Sequence, residues 1–466
     1  MPDIPNLLDE EPMVSLCRFV TETSFERLPA AVVTQAKHSI LDTLAVMAGG
    51  SAMEGIEAVV DLVKDRGGKQ ESRLLFHGGT VPASEAALAM GPMARAMDFG
   101  DTHVAGHVTE YILPTMLAVL GLRDKVSGKD FITALALGQE VLLRIGVAYD
   151  ISRSVIYGDA GGHFTFGAVA AVGKLLGLSQ EELENAQGIA KALLHHDMAM
   201  YLAGTLMVRV HHGLVCQNAV NACLLAQRGI TGPRQQVLTG RCGLLSGARW
   251  ETHPELLVED LGDRWEMLDI LRKSHTACHC THTAIDGIME QMAVHAFDPA
   301  DIAAIHIEES TLNYAVVAEP KEGKWNPQSV AECQFSLPYV VATAAYEGEI
   351  FLDAYSPQAR TREDVRELMT RISASEDPAL PWLAARVITT LRDGRVLSSE
   401  QFYPRGHPKN PVSEQDLVAK LYKCLPYAAC TISAATADAI VRDCLNLEQI
   451  ADVESALVNP LAPNGN

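Results

Sequence analysis

From Val14 to about Arg264 the chain keeps returning to one pattern, apolar residues at helical spacing with Ala and Gly scattered through the runs. FERLPAAVVTQAKHSILDTLAVMAGG carries it to a Gly pair, and KDFITALALGQEVLLRIGVAYDI repeats it over a longer span. SQEELENAQGIAKALL opens with Ser179 and Glu182 at capping-box spacing. Small residues let such helices approach closely, so the pattern predicts a large bundle. Composition points the same way. Residues are 48% hydrophobic but only 6% aromatic, which favours helices of Ala, Leu, Val, Ile and Met over a sandwich.

The pattern changes near Ile270. DIAAIHIEES alternates like a strand, and AARVITTLRDGRVLSSEQF reads as two strands turned at Asp393-Gly394. AECQFSLPYVVATAAYEG between them is helical, and after RGHPKNP the spacing of Ser413 and Asp416 signals a return to helix. A chain of 466 residues is long for one core. The expectation is a mainly α protein: a large all-helical domain of residues 1–268 and 406–466, with a smaller α+β lid domain, 269–405, inserted into it.

A net charge of −21 argues against nucleic acid, which needs a basic face. Any anion site must reverse that field locally with His, Lys, Arg or helix N-termini. MPDIPNLLDEEPMVS lacks the basic and apolar regions of a leader, and no uninterrupted apolar run reaches spanning length. The ten cysteines sit in apolar helical sequence and read as reduced core thiols. A cytoplasmic protein with no membrane partner is expected.

Asp98, Asp101, Thr102, His103, His107 and Glu110 are packed into thirteen residues between apolar helical runs. Ionisable groups are rarely buried without partners, so this density marks a site. His103 and His107, four apart, would share a helix face and with a carboxylate could bind metal. Gly100 and Gly106 favour a loop, and the other reading is a metal-free acid/base site. A second cluster, RKSHTACHCTHTAID, holds Lys273, His275, Cys278, His279, Cys280 and His282. Cys-x-Cys without CxxC pairs counts against zinc, leaving proton-transfer and anion-binding groups at a domain boundary. His163 follows Gly161-Gly162 at a helix start and is expected at the site. His195-His196-Asp197 and His211-His212 read as hydrogen-bonded core. G-x-S-x-G, the P-loop and a strand-linked G-x-G-x-x-G are all missing, so phosphoryl transfer and nicotinamide chemistry have no support.

AMDFGDTHVAGH resembles the A-x-D-F-D-D-T-H…H-P motif of the MmgE/PrpD family. GGHFTFGAVAAVGKLLGLS, AGTLMVRVHHGLVCQNAV, KSHTACHCTHTAID, QFSLPYVVATAAYEGEI and GHPKNPVS continue the resemblance in order. It implies a helical domain with an α+β lid, a homodimer, and neither cofactor nor metal. Matched to the family's motifs are the loop residues Asp98, Asp101, Thr102, His103 and His107, then His163, Lys273, His282 and Tyr339. Four departures stand out. Gly100 replaces the first Asp of the D-D pair, and Val108-Thr109-Glu110 replaces Pro-Ser. Val208, beside Arg209, falls where the family has Lys, and Ala277-Cys278-His279 falls where it has C-C-R.

The expected catalytic groups are therefore Asp98, Asp101, His103, His107, Lys273, His282 and Cys278, with Thr102, His163, Arg209, His279 and Tyr339 binding substrate. Within that family the resemblance, with the site Lys replaced, implies cofactor-independent epimerisation of an amino dicarboxylate, iminodisuccinate. One group takes the α-proton and another returns it to the opposite face. Lys273, Arg209 and helix N-termini would stabilise the intermediate. The alternatives are a hydro-lyase or decarboxylase on a citrate-like polycarboxylate such as 2-methylcitrate, or a ligand-binding protein without turnover.

Overall fold

In the computed structural model, which describes residues 10–158, 162–194 and 198–463, helices follow one another from Pro12–Glu22 to Met207–Ala226. The longest are Ala30–Gly50, Gly128–Tyr149 and Met207–Ala226. Their middles are almost wholly buried, as the Ala-rich pattern requires. Gly128–Tyr149 is long and apolar enough to cross a bilayer by length and composition, yet it is packed inside the protein. The capping boxes form as spaced, Ser179 with Glu182 and Ser413 with Asp416.

Several helix crossings depend on glycine. A Cβ on Gly213 would lie 2.1 Å from the Leu88 carbonyl oxygen, and one on Gly91 would lie 2.8 Å from Gly213. The helices Ala83–Arg95 and Met207–Ala226 thus touch backbone to backbone. Gly138 and Gly167 do the same for Gly128–Tyr149 and Phe164–Leu176. Gly213→Ala is expected to destabilise the fold by about 1–3 kcal/mol, since neither backbone can retreat without opening the core. Thermal unfolding checks this, and an unchanged midpoint would refute the tight crossing.

Helix does not continue to Arg264. From Gln227 to Ile270 the chain is irregular, with short 3-10 turns at Leu245–Gly247, Pro254–Leu257 and Glu266–Asp269. Gly229, Gly240 and Gly262 adopt positive φ there, and Pro233 lacks an N–H. The apolar spacing survives as buried anchors, Val237, Leu238 and Leu257, rather than as helix.

Beyond Ile270 a four-stranded sheet forms in the order Ile372–Glu376, Ile302–Glu309, Ala385–Leu391, Val396–Gln401. The first pair is parallel (Ile305 opposite Ile372) and the others are antiparallel. The Asp393-Gly394 hairpin forms as spaced, with Gly394 at φ 91°. Ile372–Glu376 has only one buried aliphatic, Ile372, and gives little alternation to detect. The segment expected as one helix is broken at Phe335-Ser336 into Val330–Gln334 and Leu337–Glu347. The protein is mainly α, with two apolar clusters. One joins residues 13–270 to Leu417, Leu421 and the C-terminal helices, and the other lies within 277–391.

Candidate functional site

The helix Ala83–Arg95 ends just before the polar island, and the next residues turn sharply. Asp98 takes φ 49°, a left-handed conformation that a non-glycine residue rarely adopts and that persists only where its surroundings hold it. Thr102–His103 and Gly106–His107 then form a small hairpin, so the island is a loop and not a helix. Thr102 exchanges backbone hydrogen bonds with Leu271, which fixes the hairpin beside the second cluster. Gln334 ties the two again, donating to the Met97 carbonyl at 3.0 Å and accepting from the Cys278 N–H.

Between these segments lies a cavity of about 140 Å³. Thr102, His103, His107, Lys273, Cys278 and His279 all line it, with Tyr111, Tyr201, Phe335 and Trp382 supplying apolar wall. Behind His107 is a buried charge network. Its Nδ1 lies 3.1 Å from Glu110 Oε1, and its Nε2 lies 4.0 Å from Asp98 Oδ1. Asp98 is ion-paired with Arg95 and, at 2.7 Å, with Lys273, which also donates to the Asp98 carbonyl. Arg95 reaches Glu110 at 3.6 Å, and His212 Nε2 lies 2.7 Å from the same carboxylate. Tyr111 is stacked between His212 and Phe164. Two carboxylates thus face two formal cations, the balance a buried site needs.

The protonation states follow from this packing. Burial alone would raise Asp98, but Arg95 and Lys273 outweigh it and hold the carboxyl well below its usual range. Burial also opposes ionisation of Glu110, and His107, His212 and Arg95 together hold it low. Burial lowers His212 to about 3, so that ring is neutral and Arg95 is the formal counter-charge of Glu110. His107 is pushed below 6.5 by burial, against the upward pull of Glu110. His279 is held lower still by burial and Lys273. Its Nδ1 sits 2.5 Å from the Thr102 hydroxyl, and its Nε2 has no hydrogen-bond partner among the described residues. With Thr102 as donor, the Nε2 proton is free for a ligand. Cys278 is lowered by a hydrogen bond from the Cys280 thiol, against burial.

Two family models match in succession, the MmgE/PrpD N-terminal domain over residues 14–252 and the MmgE/PrpD C-terminal domain over 275–447. The chain belongs to the MmgE/PrpD family. It is 27% identical over 468 residues to the cis-aconitate decarboxylase-like protein oryM of Aspergillus oryzae (strain ATCC 42149 / RIB 40), covering 95% of each chain. It is 27% identical over 456 residues to the cis-aconitate decarboxylase of Mus musculus, covering 93% of this chain and 90% of that one. It is also 27% identical over 442 residues to that of Homo sapiens, covering 90% and 88%. Residues from both MmgE/PrpD domains line the cavity.

Several residues expected at the site are elsewhere. Asp101 accepts from the Thr109 N–H at 2.9 Å and from its hydroxyl, completing the start of the helix Thr109–Ala118, and burial raises its carboxyl to about 6. Arg209 donates to the Glu54 carbonyl at 2.6 Å, and the Tyr339 hydroxyl donates to that of Ala354. None of the three lines the cavity. His163 caps no helix with its side chain; its Nε2 donates to the Ala105 carbonyl at 2.9 Å and steadies the hairpin. His282 donates to the Ala277 carbonyl and packs against His279 at 4.6 Å without reaching the cavity. His195-His196-Asp197 lies outside the described residues. Among the described residues, no group of three His, Cys, Asp or Glu is placed to hold a metal ion.

Arg95 and Tyr201 escaped sequence reasoning, His212 was read there as hydrogen-bonded core, and Glu110 was noted there without a role. A lone Arg inside the apolar run PASEAALAMGPMARAM was the available signal. Gly100 also gains a reason. A Cβ there would stand 2.8 Å from Glu110 Oε2, so a residue with a side chain at 100 and Glu110 in this pose compete for one space.

Proposed function

We propose that this chain is a lyase acting on a small polycarboxylate, with His107 handling the proton at the carbon whose bond breaks. The observation that carries this is His107 itself, an imidazole on the cavity wall, backed by the buried Glu110 and standing beside the Asp98–Lys273 pair. The relatives' names favour decarboxylation. In that reaction the C–C bond to one carboxylate breaks and CO2 leaves. The electron pair stays on carbon, conjugated with a neighbouring double bond or carboxylate, and takes a proton from the His107 imidazolium. The negative charge of a bound polycarboxylate raises His107 against its burial, so the proton is available when substrate is present. Lys273 and His279, both on the cavity wall, are the groups that would receive the carboxylates that remain. Water elimination would use the same ring in reverse, as base. Cis-aconitate in deuterated water is expected to release CO2 and to give product carrying one solvent deuterium. Turnover with neither loss of CO2 nor gain or loss of water would overturn the lyase.

One observation favours a second reading, epimerisation of an amino dicarboxylate such as iminodisuccinate. His107 is neutral at rest and shares its cavity with a second proton-transfer group, the lowered Cys278 thiol. Only a C–H bond is broken and remade there. Recovered amino dicarboxylate with α-deuterium and no other change would replace the lyase with this reaction.

A further inference from the structure

Lys273 also lines a second hollow, of about 200 Å³, that shares no other residue with the first. Five of its lining residues are cations: Arg272, Lys273 and Lys420 are buried, Arg405 and Lys423 exposed. Among the described residues, Asp416 is its one lining carboxylate. On a chain of net charge −21, this is a local reversal of sign.

Most of these charges are already matched. Lys273 pairs with Asp98 and Lys420 with Asp42, each at 2.7 Å, while Arg405 pairs with Asp416 and Lys423 with Glu349. Arg272 is different. It is 7% exposed, and its guanidinium donates only to neutral oxygens, Gln35 Oε1 at 3.1 Å, the Gln35 carbonyl at 3.3 Å and Ser39 Oγ at 3.3 Å. Its Nε has no hydrogen-bond partner among the described residues. Among the described residues it has no ion pair within 4 Å; the Asp42 and Asp101 carboxylates act on it from further off, which leaves the hollow a largely desolvated cation without a direct anionic partner. Arg presents a planar fork suited to an oxyanion, and Lys420, whose ammonium already donates to Asp42 and to the Phe99 and Lys273 carbonyls, adds positive charge beside it without a free donor.

We propose that this hollow binds a small oxyanion of the phosphate or carboxylate class, with Arg272 and Lys420 at the floor and Arg405 and Lys423 at the rim. The two rim residues belong to neither the His107 cavity nor its charge network, and their exposure lets them be replaced without opening the core. Binding is measured on the full chain by calorimetric titration with inorganic phosphate, and separately with succinate, against sodium chloride at matched ionic strength. One saturable site per chain is expected. R405A/K423A should weaken it by about tenfold or more, and E349Q, which frees Lys423, should tighten it. Phosphate displacing succinate identifies one shared site. Succinate binding that R405A/K423A leaves intact belongs to the His107 cavity and counts against the carboxylate source. Absence of saturable binding of both anions, or affinities unmoved by both variants, would overturn the proposal. No turnover enters this test, so its outcome is independent of the lyase reading.

Discussion

His107→Gln is expected to lower turnover by about 10²- to 10⁴-fold, the usual contribution of a positioned proton-transfer group. The unfolding midpoint should stay close to that of the unmodified protein, because His107 is the network's most exposed member, with 20% of its side chain accessible. The pH profile adds a sign. His107 titrates below 6.5 because it is buried. If free enzyme must present the imidazolium, kcat/KM rises as pH falls from 8 through 6.5 toward that lowered value. If the ring is a base, kcat/KM is level down through 6.5 and falls only below it. Glu110 pulls His107 upward, so Glu110→Gln should move the inflection further to acid in either case. Unimpaired turnover of His107→Gln, or an inflection that Glu110→Gln leaves in place, would remove His107 from the reaction.

What the sequence made legible was local. Capping boxes, the Asp393-Gly394 hairpin and the loop around Gly100 and Gly106 are fixed by residues a few positions apart, where backbone chemistry alone decides. The meeting of the two polar clusters was also foreseeable, because both interrupt apolar runs and each needs partners. Convergence over long distances was not. Arg95 and His212 look like ordinary members of apolar helices until Glu110 is seen between them. Asp101 has the right chemistry for the site, yet nothing local shows that it spends both oxygens on Thr109. From Gln227 to Ile270, apolar spacing without enough helix-forming residues between the Gly and Pro positions mimicked helix. The second hollow draws its cations from 272–273, 405 and 420–423, three segments that share no motif.

Lys273→Met should show the largest combined loss, in stability and in activity. Lys273 and Asp98 are both buried, at 2% exposure each, and with Lys273 gone Arg95 alone must serve Asp98 and Glu110. Leaving a carboxylate uncompensated in such a place costs about 3–5 kcal/mol at pH 7. The pH dependence follows from Asp98, whose folded carboxyl is held below its usual value by Arg95 and Lys273. A depressed carboxylate contributes stability above its unfolded value, near 3.8, that is lost only as pH falls through the folded one. Without Lys273 the folded value rises, so the gap between variant and unmodified protein is widest near pH 7 and closes as acid protonates Asp98. Lys273→Met combined with Asp98→Asn removes the orphaned charge and should recover most of the stability at pH 7. It should recover none of the turnover, because the cation at the cavity is still missing. Chemical unfolding at several pH values, paired with the cis-aconitate assay, measures both. A gap that does not narrow toward acid would mean that Asp98 is not the charge Lys273 compensates, and turnover restored along with stability would mean that Lys273 supports the fold alone and has no part in holding the substrate.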